Sequence, residues 1–117
     1  MTEVFDMKKF KEAKSCNGSF QSTAEDGQKS YCVQGKVMLA LGLIDSFLTD
    51  KEVMYLGQTC QYKGRWESST VGRIFGFIMS KDENIISINN EGEFEKADSL
   101  VEEFVRRKSG VAIINDY

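Results

Sequence analysis

The chain has 117 residues, 41% of them hydrophobic, enough for one buried core and one small domain. Its net charge of -3 and pI near 5.0 weigh against a protein that coats nucleic acid, because phosphate affinity comes from Lys and Arg, yet they leave room for cations gathered on one face. Histidine is absent, Cys16, Cys32 and Cys60 follow no zinc spacing, and no apolar window reaches ~18 residues, so the expectation is a soluble, cytoplasmic protein with reduced thiols, no zinc centre and no membrane contact.

Residues 6 to 14 suggest a short helix with Asp6 as N-cap, Met7, Phe10 and Ala13 on one side, and Lys8, Lys9, Lys11 and Lys14 elsewhere. Those lysines suit either a solvated face or a basic arm for phosphates. Residues 15 to 35, rich in Ser, Gly, Gln and Asn, read as loop, so residues 1 to 36 are expected to be an N-terminal extension to a domain spanning 37 to 117.

The unbroken apolar run Val37 to Ile44 predicts a buried strand, Asp45 to Glu52 a turn with Thr49-Asp50-Lys51 at its tip, and Val53 to Gly57 a returning strand. From about Tyr62 to Ser80 the period becomes helical, with Val71, Ile74, Phe75 and Ile78 in register. Gly72 and Gly76 weaken a helix interior by about 1 kcal/mol each, so they call for a reason: close packing, or close approach of a phosphate backbone. Asn84 to Ile88 predicts a strand and Asn89 to Glu93 a turn. Lys96 to Lys108 predicts a helix with Ala97, Leu100, Val101, Phe104 and Val105 on one stripe and Gly110 after its end, and Val111 to Ile114 a last strand. The expected class is α+β, a small mixed sheet containing a β-hairpin and flanked by helices.

The segment Val53-Met54-Tyr55-Leu56-Gly57, followed by Tyr62-Lys63-Gly64-Arg65-Trp66, resembles the signature of the GIY-YIG nuclease superfamily. Tyr55 and Arg65 keep that family's ten-residue separation, Gly57 keeps the motif glycine, and an aromatic follows the arginine. The resemblance implies a metal-dependent endonuclease that hydrolyses phosphodiester bonds, with DNA favoured over RNA. Arg65 would clamp the scissile phosphate and Tyr55 would orient water. Glu102 or Glu103 would hold Mg²⁺ or Mn²⁺, and the Glu95-Lys96 opening of their helix favours Glu102. Lys63, Ser69, Gly57 and Asn115 would support the nucleic acid.

Two positions depart from the pattern: Ile44 stands where the first-motif tyrosine belongs, and Ser69 where the family has histidine or tyrosine. A serine is a poor base near neutral pH, so Tyr62, one helical turn before Arg65, is the substitute candidate. Two further readings stay open: a catalytically inactive GIY-YIG-like module that binds nucleic acid, and a small acidic inhibitor or immunity-type protein that binds another protein.

Overall fold

A computed structural model describes residues 3–117 as an α+β fold that is mostly helical, with six helices and two small sheets among the described residues. The chain enters through strand β1 (Val4–Asp6), which passes directly into helix α1 (Met7–Glu12). The backbone N–H of Lys9 donates to the Asp6 carboxylate at 3.2 Å, so the N-cap expected there is present, and Met7 and Phe10 are buried. Strands β2 (Ser22–Thr23) and β3 (Lys29–Ser30) then form a short antiparallel hairpin within the stretch expected to be loop.

The apolar run expected as a strand forms none: its first half, Val37 to Ala40, belongs to helix α2 (Val33–Ala40), which lies buried on nearly every side, and its second half is the turn that follows. A helix enclosed all round shows no alternation of apolar and polar residues, so periodicity cannot separate it from a buried strand. Its end is a Schellman turn at Gly42 (φ +73°), where the Leu43 N–H reaches the Met38 carbonyl at 3.0 Å and the Gly42 N–H the Leu39 carbonyl at 3.1 Å. The boundary expected at residue 36 therefore runs through a core helix.

The second expected strand, Val53 to Gly57, lies inside helix α3 (Asp50–Trp66), so the GIY-YIG-like hairpin is absent. Thr49, expected at a turn tip, is the N-cap of a capping box. Its hydroxyl accepts from the Glu52 N–H at 3.2 Å, while the Glu52 carboxylate accepts from the Thr49 N–H at 3.1 Å. Val53, Gly57 and Cys60 are buried at helical spacing.

The helix expected over 62 to 80 is broken at Glu67, and α4 (Thr70–Met79) starts anew with the Ser69 hydroxyl capping the Gly72 N–H at 3.2 Å. Val71, Ile74, Phe75 and Ile78 are buried, as the stripe requires. Packing accounts for the helix glycines: a Cβ on Gly72 would sit 2.3 Å from the Glu67 carbonyl oxygen, and one on Gly76 2.9 Å from that of Gly64. The partner is α3 rather than a sheet.

Residues 84 to 88, expected as a strand, enter helix α5 (Ile85–Asn90) from a left-handed Asn84. Helix α6 (Phe94–Arg107) matches its expected stripe, burying Ala97, Val101 and Val105, and Phe104 stacks on Phe77 of α4 at 4.2 Å between ring centroids. Strand β4 (Ala112–Ile114) falls where a final strand was expected and pairs in parallel with β1, Phe5 opposite Ile113. Val4–Asp6 and Ala112–Ile114 are thus joined, and Phe5 and Met7 belong to the core. Among the described residues no helix is long and apolar enough to cross a membrane.

Candidate functional site

Tyr55, Gly57, Tyr62, Lys63 and Arg65 all lie on α3. A helix rises 1.5 Å per residue, so the ten positions between Tyr55 and Arg65 become about 15 Å along the axis, too far to share one phosphate. Gly57 faces inward, where a Cβ would meet the ring of Phe20 at 2.6 Å, so the glycine seats that ring. Ser69 is occupied as the α4 cap, and Asn115, in a left-handed conformation, donates its side-chain amide to Asp6 at 2.9 Å. These last three positions have structural work.

The glutamates on α6, expected to hold a divalent metal, are each engaged in ion pairs. Glu102 is held by Arg106 at 3.0 Å and Lys11 at 3.6 Å, and Glu103 by Arg107 at 3.6 Å. Arg106 also grips Asp116, whose carboxyl it holds below the usual range. Among the described residues no group of three or more His, Cys, Asp or Glu could hold a metal ion. Glu102, shared between a guanidinium and an ammonium, has less to offer Mg²⁺, which takes oxygen ligands in octahedral geometry, than Glu103, whose pair is loose and exposed.

What α3 does present is an outward ridge of aromatic side chains. Tyr55, Tyr62 and Trp66 are 70%, 61% and 73% exposed, and they fall within ~40° of one another around the helix. Large aromatics left in water this way need a reason, since their burial is strongly favourable. Beside the ridge runs a groove along the shoulder Met54, Gln58, Gln61 and Arg65. At one end it is walled by Phe20 and Gln21, at the other by Met79 and Lys81, and Gln61 borders every section.

Local charge differs from the global value. Residues 53 to 81 contain Lys63, Arg65, Arg73 and Lys81 against the single acid Glu67, although the chain as a whole carries -3. Lys63, Arg65 and Lys81 form no ion pair with the described residues, while Arg73 donates to the Ser109 carbonyl at 2.6 Å.

Neither a protein-family model, nor a characterised protein, nor a solved structure matches this chain. The site is therefore read from its own chemistry. Of the residues along the ridge and groove, the sequence reading named Tyr55, Tyr62, Lys63 and Arg65 as site candidates and did not name Phe20, Gln61, Met79 or Lys81. These come from separate segments and share no local spacing; the one readable signal was a helix start at Thr49-Asp50-Lys51-Glu52, which would have turned Tyr55 and Tyr62 onto one face.

Proposed function

We propose that the protein binds single-stranded nucleic acid along the outer face of α3. The observation that carries this reading is the exposed ridge of Tyr55, Tyr62 and Trp66 flanked by unpaired cations, Lys63 on one shoulder of α3 and, on the groove side, Arg65 with Lys81 just past the end of α4. Stacking platforms beside a cationic groove are how proteins hold unpaired strands, because every base has a π-face and every nucleotide a phosphate.

The reading keeps what carries the GIY-YIG resemblance, Tyr55 and Arg65, but gives them a binding role. Cleavage would require Tyr55, Arg65 and Glu102 or Glu103 to converge on one phosphate with Mg²⁺ or Mn²⁺, and the glutamates are already engaged on another helix.

Fluorescence anisotropy with labelled single-stranded DNA, single-stranded RNA and duplex DNA tests the proposal. Binding of single strands in preference to duplex, weakened by salt, is expected. Absence of salt-sensitive binding to any of them would sink it and favour an acidic protein-binding module. Mg²⁺-dependent strand nicking abolished by Arg65→Ala would restore the endonuclease reading.

A further inference from the structure

We infer that the cavity between α2, α3 and α5 is a pocket for one nucleobase of the bound strand, an inference that rests on the nucleic-acid reading and adds a specific contact to it. The cavity has a volume of about 180 Å³, slightly more than the ~150 Å³ that accommodates a benzene ring. Phe20, Val33 and Ile86 give it apolar walls, and Gln34, Gln61 and Asn90 give it amide groups. Every residue lining it is uncharged at neutral pH, since burial pushes the Cys32 thiol up against the opposing pull of the Gly35 and Gln34 N–H groups.

Gln34 singles the cavity out. The residue is only 5% exposed, its Oε1 accepts from Gln61 Nε2 at 3.4 Å, and its own Nε2 is buried with no partner. A buried amide donor left unpaired is costly, and a rotation of the Gln34 amide toward the cavity, onto an acceptor at a ligand's edge, removes that cost. Asn89 holds the wall in place rather than serving the ligand: its Oδ1 accepts from the Val33 N–H at 3.2 Å and its Nδ2 donates to the Cys16 carbonyl at 3.1 Å.

The neighbouring hollow fixes the chemistry of the occupant. Gln61 and Ile86 line both the cavity and the section of groove that carries Arg65 and Lys81. An occupant that is uncharged, ring-sized and hydrogen-bonding at one end and anionic at the other satisfies both, and a nucleotide within a strand has that form. A carboxylate or ammonium side chain from a protein would meet no counter-charge in the cavity.

The test compares Gln34→Leu with the unaltered protein on two strands of equal length, one carrying bases and one made of abasic tetrahydrofuran units. Gln34→Leu is expected to weaken the base-bearing strand about tenfold, the scale of losing one base contact, and to leave the abasic strand unchanged. Equal loss on both strands, or no loss on either, would overturn the pocket while leaving the ridge reading intact. Failure of the unaltered protein to bind either strand would overturn both. Should the variant not fold, the side-chain amide NMR signals of Gln34, Gln61 and Asn90 in the unaltered protein decide: they should shift with the base-bearing strand and not with the abasic one, and equal or absent shifts contradict the pocket.

Discussion

On the α6 side of the molecule Arg106 is held by Glu102 and Asp116, Arg107 by Glu103, and Lys36 by Asp98, whereas on the α3–α4 side Lys63, Arg65 and Lys81 pair with no carboxylate of the described residues. Among the aromatic side chains Phe104 and Phe77 stack at the α4–α6 contact, while Tyr55, Tyr62 and Trp66 share one exposed face of α3, with Phe47 and Tyr117 exposed elsewhere. The two arginines of α6 and buried Lys36 are thus paired, and on the proposed reading the three cations of the α3–α4 side are the ones that meet phosphate. Net charge, which averages the two faces, conceals this division.

The sharpest way to break the comparison is to remove a cation from the structural side. Lys36 is 1% exposed and donates to Asp98 at 2.7 Å and to the Ser15 hydroxyl. Lys36→Met should lower unfolding free energy in urea by about 3–5 kcal/mol, because it strands a partly buried carboxylate. Adding Asp98→Asn should recover much of the loss. Burial raises the Asp98 carboxyl even with Lys36 present, so that group takes stability away as pH climbs from the ordinary carboxylate value through its raised one.

Next in size is the α3–α4 crossing on which the binding face depends. Gly72→Ala places a methyl against the Glu67 and Lys63 carbonyls and should cost about 1–3 kcal/mol despite the better helix propensity of alanine. A urea midpoint at or above that of the unaltered protein would show that the helices separate freely.

On the ridge the effects should reverse in kind. Trp66→Ala and Tyr62→Ala should each reduce single-strand affinity by ~10-fold, within the range measured for one base–aromatic stack. Their melting temperatures should hardly move, since both side chains are exposed. Arg107→Ala, on the paired side, should leave affinity unchanged.

The smallest effect concerns the hairpin that walls the groove. Asp50, at the start of α3, accepts from Gln21 at 2.8 Å and from the Thr23 hydroxyl at 2.7 Å, and these bonds lower its carboxyl. A lowered folded value means that this contribution is present above the ordinary Asp range of about 3.9 and is lost as pH falls through the folded value. Asp50→Asn should flatten that part of the acid-unfolding curve, and an unchanged curve would show that the Gln21 contact is not coupled to folding.

The legible parts of the sequence were those with an amphipathic stripe or a side-chain cap. Helix α6 announced itself through Ala97, Val101 and Val105, and α1 through Asp6. Helix α2 was hidden because burial on all sides erases the period. In α3 the inward positions include Gly57 and Gly64, which pack against Phe20 and Phe75 but carry no apolar side chain, so the stripe was faint and the Tyr55-Leu56-Gly57 motif suggested a strand. The cavity was unreadable for another reason: Phe20, Gln34, Gln61 and Ile86 meet only through tertiary packing.

The most direct test of the division between faces is the salt dependence of single-strand binding in Arg65→Gln and Lys81→Gln compared with Arg107→Gln. For the unaltered protein the logarithm of affinity should fall linearly with the logarithm of salt concentration. Arg65→Gln and Lys81→Gln should each reduce the slope by about 0.7, one phosphate contact apiece, and Arg107→Gln should not change it. A slope insensitive to Arg65 and Lys81, or one that responds to Arg107 instead, would contradict the account.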